Sequence, residues 1–199
     1  AVPRLLEKVY DKIYAKGAAL TGIKKALFFW AVNLGLVYEP YGQNGWWYEF
    51  QLKIARALIF KKWQEALGGK LRAVASGSAA LQPRLARVFN AAGIPIMEGY
   101  GLTETSPVVT VNDFREGNFR IATVGKPIAD TEIKISEDGE ILVKGPQIMM
   151  GYYKDPELTA EVIKNGYFHT GDIGEVDKDG FLRITDRKKE MFKTSGGKY

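Results

Sequence analysis

The 199-residue sequence is 46% hydrophobic and 26% charged, enough for one substantial core or a core with a satellite domain. It has no cysteine and one histidine, His169, which excludes disulfides, cysteine nucleophiles, cysteine-based zinc sites and metal sites built from several histidines. The formal charge of +5 suits a polyanion or an anionic membrane surface, but the cations are spread along the chain and single out neither.

The first third has helical spacing. Leu5, Leu6, Val9 and Ile13 share one face, with Pro3 in the first turn, and Trp47, Phe50, Ile54 and Leu58 share another at steps of three and four. The second set predicts an amphipathic helix with that apolar face on the core and Lys53, Arg56, Lys61 and Lys62 as its solvated side; contact with a membrane is the alternative. The apolar stretch 26–36 is broken by Asn33 and Gly35, and no run approaches the roughly 20 residues that span a bilayer. The protein is therefore expected to be soluble or peripheral to a membrane, and the absence of cysteine is compatible with the cytoplasm.

From residue 69 the pattern becomes a strand at 71–75, a glycine turn, a helix over 83–90 and a strand at 94–97. That order predicts a parallel α/β unit, which takes ligands beyond the carboxyl ends of its strands. Two glycine-rich segments fall there: SGSA at 76–79 and GYGLTE at 99–104. After residue 118 the texture is β. Runs at 132–135 and 140–143 flank an Asp-Gly pair, and runs at 174–176 and 181–185 flank another, so two hairpins are predicted, with a short helix over 156–162. The fold class is α/β: a parallel unit with a small β-subdomain.

The segment EGYGLTETSP at 98–107 concentrates the chemistry. Gly99 and Gly101 permit close backbone approach, Tyr100 offers a flat face to a base, Thr103 can donate to a phosphate oxygen, and Glu104 can hold Mg²⁺. Read alone, the same letters also describe an ordinary turn. Asp172, beside a glycine, is acceptor-only and suits a vicinal diol, with a turn-capping Asp as the alternative. Arg187 to Lys189 read alone as a basic surface run.

These segments resemble, in order, the signatures of the adenylate-forming, AMP-binding superfamily: SGSAAL at 76–81, YGLTE at 100–104, YFHTGD at 167–172 and DRKKEMFK at 186–193. The similarity extends over nearly the whole chain. VPRLLEK at 2–8 and TSGGKY at 194–199 are similar to the long-chain fatty acyl-CoA synthetases.

The resemblance implies the large domain of the adenylate-forming fold, with a distorted, barrel-like β-subdomain. The organisation expected is a helical segment at 1–66, an α/β unit at 67–117, a β-subdomain at 118–185, and a hinge at 186–199 leading to a further domain. The implied roles are specific. Gly77, Ser78 and Ala79 would border the acyl group and adenine; Tyr100, flanked by Gly99 and Gly101, would stack on adenine. Thr103 would meet the α-phosphate, Glu104 would ligate Mg²⁺, Asp172 would accept from the ribose hydroxyls, Arg187 would contact ribose and phosphate, and Lys189 would be the hinge. Lys188 is expected at the surface, Lys193 and Tyr199 are weaker candidates, and His169 is expected to pack or hydrogen-bond.

The activity implied is ATP- and Mg²⁺-dependent conversion of a long-chain fatty acid to acyl-AMP and then, with CoA, to acyl-CoA. Partners would be these small molecules and no nucleic acid. No segment matches the family's Gly- and Ser/Thr-rich phosphate loop or its adenylating lysine, so the chain reads as a central fragment, inactive by itself. The alternatives are a non-catalytic nucleotide- or lipid-binding module and another acyl- or aminoacyl-adenylating enzyme.

Overall fold

The computed structural model describes residues 3–77 and 79–188. The chain divides into two compact units, Ala1–Glu98 and Gly99–Tyr199. The first holds helices α1 (Pro3–Ala18), α2 (Gly22–Leu36), α3 (Trp46–Ala55), α4 (Lys61–Ala66) and α5 (Pro83–Ala91) and a short parallel strand pair, β1 (Val74–Ser76) and the start of β2 (Ile96–Tyr100). The core is aromatic: Trp63 packs edge-on to Phe60 and Phe89, and Phe89 meets Tyr10. On α1 the packed residues are Leu6 and Tyr10, with Val9 and Ile13 half-buried and Leu5 exposed.

Between α3 and α4 the helical path is continuous through a π-turn, Arg56–Phe60. The buried residues are Tyr48, Leu52, Ala55, Phe60 and Trp63. Their spacing of four, three, five and three contains one step that an α-helix does not take, and the π-turn supplies it by accommodating one extra residue. The face expected on the core, Trp47, Phe50, Ile54 and Leu58, is instead exposed, by 57%, 51%, 37% and 51%. Its regular spacing marks a common face correctly, but the rod carries a second apolar face, Tyr48, Leu52, Ala55, Phe60 and Trp63, and that is the one buried.

The strand–helix–strand unit forms as expected, with β1 and β2 parallel. Pro83 opens α5, where its missing N–H costs nothing, and it holds Gln82 extended (ψ 126°). Pro95 also lacks a donor and marks where the ladder starts: Val74 donates to its carbonyl, and register pairing begins at Ile96. The second strand therefore lies later than expected and carries Gly99 and Tyr100 inside it instead of in a loop.

In the second unit the end of β2 pairs antiparallel with β3 (Thr110–Val111), which pairs with β4 (Lys126–Pro127). A second sheet has the order β5 (Glu132–Ile135), β6 (Glu140–Lys144), β8 (Tyr167–Val176), β7 (Ile163–Lys164), with β9 (Leu182–Arg187) also on β8 and α6 (Pro156–Val162) preceding β7. Both Asp-Gly turns close hairpins, β5–β6 and β8–β9. At the second, Asp177 accepts from the N–H groups of Asp179 and Phe181, and Arg120 pairs with Asp177 and Asp179 while covering the Phe181 ring. Val109, Ile141, Val143 and Leu182 form the core of this unit, with Tyr100 packed against it. The architecture is mixed α/β, as expected.

Candidate functional site

β8 is the strand that builds the site. Glu140 pairs with Ile173 and Leu142 with His169, so one residue of β6 faces three of β8, Thr170 to Asp172. This bulge holds the Thr-Gly-Asp sequence. Gly171 takes φ +72°, a region that disfavours any side chain, and its N–H donates to the Glu140 carboxylate at 2.9 Å. Thr170 donates its hydroxyl to the Ile141 carbonyl (2.8 Å), and that same oxygen accepts from the Asp172 N–H (3.1 Å). Asp172 thus sits in a bulged strand, and the turn-capping alternative does not apply.

The Asp172 side chain is 11% exposed and has two partners. The Tyr100 hydroxyl donates to Oδ2 at 2.6 Å, and Arg187 Nε lies 3.1 Å from Oδ1. Arg187 is the cross-strand partner of Asp172 on β9, and its side chain is 60% exposed. Burial and the bond to Asp172 push the Tyr100 phenol well above its usual pKa, so it remains a donor at any physiological pH. Three expected residues, Tyr100, Asp172 and Arg187, therefore form one connected group. Each carboxylate oxygen retains a second acceptor direction.

Thr103 and Glu104 lie on a 3₁₀ turn, Thr103–Thr105. The buried Thr105 holds the turn, accepting from Leu102 N and donating to Leu102 O, so Thr103 is left exposed and Glu104 half-exposed. Gly101 is obligatory for another reason: a Cβ there would lie 1.7 Å from the Pro107 carbonyl oxygen. The Tyr152 hydroxyl donates to Glu104 Oε1 at 3.0 Å. Tyr152 is 48 residues away, and nothing in the spacing of the sequence pointed to it.

A second buried carboxylate supports the bulge from behind. Glu140 is 6% exposed and accepts from Gly171 N, from His169 Nδ1 (3.2 Å) and from Lys188 Nζ (3.1 Å), which also pairs with Asp138 at 2.6 Å. Burial alone would raise the Glu140 pKa; the Gly171 N–H, Lys188 and His169 outweigh it and the net shift is downward. Asp138 is held at about 2, chiefly by Lys188 and then Ser136. Lys188 was expected at the surface; it is half-buried because two carboxylates attract it. His169 has the hydrogen-bonding position expected of it.

In the first unit, Gly77 is half-buried and Ala79 exposed after β1. Ser76 and Glu98 are register partners, both buried, and the Ser76 hydroxyl has no partner among the described residues. Burial raises the Glu98 carboxyl to about 7, against a backbone N–H donated by Leu81. Ser78, Lys189, Lys193 and Tyr199 lie outside the described residues. Among the described residues no three carboxylates or imidazoles cluster to cage a metal. Glu104 alone fits a Mg²⁺ completed by phosphate oxygens and water, the common arrangement for that ion.

The chain is similar to known proteins over its whole length. Residues 1–153 match the family model described as AMP-binding enzyme. The chain is 40% identical over 201 residues to the long-chain-fatty-acid–CoA ligase FadD15 of Mycobacterium bovis, covering all of this chain and 33% of the relative. Among solved structures, a fatty acyl CoA synthetase of Mycobacterium tuberculosis superposes with a TM-score of 0.55 at 28% identity, over 69% of this chain and 29% of that one. The o-succinylbenzoate CoA synthetase of Bacillus subtilis, in complex with its acyl-adenylate intermediate, gives 0.54 at 27% identity, over 64% and 37%. The chain belongs to the AMP-binding enzyme family. It spans about a third of the length of the FadD15 relative.

Proposed function

We propose that this chain is the nucleotide-handling part of a long-chain fatty acid–CoA ligase, which joins a fatty acid to ATP as acyl-AMP and passes the acyl group to CoA. The likeness to FadD15 over the whole chain supports the substrate class. The observation that carries the nucleotide reading is the Tyr100–Asp172–Arg187 group: a buried carboxylate oriented by two donors, with acceptor directions left for both hydroxyls of a ribose.

In this reading Asp172 accepts from the ribose diol, and Arg187, mostly exposed beyond its ion pair, reaches ribose or phosphate. The Tyr100 ring, flanked by Gly99 and Gly101, lies against adenine, and Thr103 donates to the α-phosphate. Glu104, steadied by Tyr152, would hold Mg²⁺, which on binding offsets the negative charge developing at phosphorus. Gly77, Ser78 and Ala79 border the acyl group and adenine, and Lys189 is the hinge about which a further domain turns between half-reactions. In this reading the enzyme works in the cytoplasm, peripheral to a membrane. No described helix is long and apolar enough to cross one.

The test is Asp172→Ala in the full-length enzyme. Losing a charged acceptor to two hydroxyls removes about 2–3 kcal/mol, a factor of roughly 30–150 in ATP affinity, while fatty acid affinity is unchanged. Calorimetry that finds ATP binding intact in a folded variant would refute the assignment.

A further inference from the structure

We infer that the exposed side of α3 and its continuation is a docking surface for an anionic phospholipid bilayer. Trp46 (79% exposed), Trp47, Phe50, Ile54 and Leu58 form one ridge. By helical rise, Trp47 to Leu58 extends about 17 Å. The rings are organised: Trp46 and Trp47 meet edge-on at 5.6 Å, and Trp47 and Phe50 stack at 5.6 Å. A contiguous ridge of this size differs from the isolated surface apolar residues of ordinary proteins.

The surrounding charge selects the partner. Lys53 is exposed next to Ile54, and Lys61 and Lys62 are exposed three and four residues beyond Leu58, extending the ridge. None of the three lysines has an ion pair among the described residues, whereas Arg56, on the packed side, is committed to the Ala91 carbonyl at 2.8 Å. The acids of the same stretch are Glu49 and Glu65. Tryptophan with aliphatics in the centre and free lysines alongside is the composition of a helix lying in a bilayer interface. There the rings occupy the headgroup boundary and the ammonium groups meet lipid phosphates.

The π-turn carries both faces through one rod. By taking up an extra residue it turns Phe60 and Trp63 inward while Leu58 stays on the ridge. The inference gives a location to the membrane contact proposed above and is independent of the ligase chemistry, because vesicle binding and acyl transfer are measured separately.

The experiment is sedimentation of the full-length enzyme with phosphatidylcholine vesicles, with and without phosphatidylglycerol. The enzyme should bind the anionic vesicles at low salt, much less the neutral ones, and be released by high salt. Replacing Trp46, Trp47 and Phe50 together by Ser should lower partition at least about 100-fold. Reversing Lys53, Lys61 and Lys62 to Glu should lower it at least about 10-fold on the anionic vesicles alone. Neither variant should shift the melting temperature or the sedimentation coefficient, because these side chains are exposed. Tryptophan quenching by brominated phosphatidylcholine should be present in the wild type and lost in a Trp46→Phe, Trp47→Phe variant. Absence of vesicle binding or quenching overturns the inference. So does a serine variant that melts lower or changes oligomeric state, since the ridge would then be covered by protein.

Discussion

The two units bury carboxylates in opposite ways. Glu98, where the first unit ends, has a backbone N–H and, among the described residues, a partnerless serine hydroxyl nearby but no cation, and burial raises it to about 7. Glu140, in the second unit, is buried as deeply but surrounded by Lys188, His169 and the Gly171 N–H, and its pKa falls. The difference teaches that depth alone does not set ionisation. What decides is whether the fold provides donors for the charged form, and it does so where a bulge must be fixed.

The sharpest way to break the comparison is at Glu140. Glu140→Ala leaves Lys188 and His169 without their shared partner and frees the Gly171 N–H, so a loss of about 2–4 kcal/mol is expected, read as a lowered urea midpoint. If the midpoint hardly moves, the cluster is ornamental to the bulge.

Glu98 should contribute a pH dependence of the opposite kind. Its folded pKa, about 7, lies above the ordinary glutamate value of 4.5, so the native state holds the proton more tightly. Its contribution to stability is full below pH 4.5, is lost as pH rises toward 7, and stays lost above. The integrated change is about 3 kcal/mol. Glu98→Gln should abolish that decline, so the difference between variant and wild type grows in the variant's favour from pH 5 to pH 8. Parallel pH curves for the two proteins would mean that Glu98 titrates normally.

The smallest effect is expected at Tyr152→Phe, which removes one neutral donor from the half-exposed Glu104. Stability should fall by no more than about 1 kcal/mol. In the full-length enzyme the Mg²⁺ concentration giving half-maximal activity should rise a few-fold; a change in ATP affinity without any change in Mg²⁺ dependence would contradict a role through Glu104.

Much of the second unit could be read from the sequence because its turns are local. Asp-Gly pairs at 138–139 and 179–180 closed both hairpins, and Pro83 marked the start of its helix. The candidate residues Tyr100, Thr103, Glu104 and Asp172 follow from their own chemistry as well as from motif resemblance, and Arg187 from the resemblance, but no spacing joins Tyr100 to an aspartate 72 positions later. That contact exists only once β8 is bulged and paired with β9. Tyr152 and Glu140 were missed for the same reason, since a lone tyrosine before a helix and a glutamate after a turn look solvated. The helical rod was misread because period alone does not say which of two apolar faces is inside, and the sequence holds both.

The π-turn also sets how this rod tolerates length change. Deleting one residue within Arg56–Phe60 would let the helix close into regular α-winding with every backbone bond intact, and circular dichroism would record no loss. Phe60 and Trp63 would keep their inward facing, because the step from Ala55 to Phe60 would shorten from five residues to the four that α-winding takes. The segment thus works as slack of one residue in the rod, and a deletion there that regularises the helix should leave the packed rings in place.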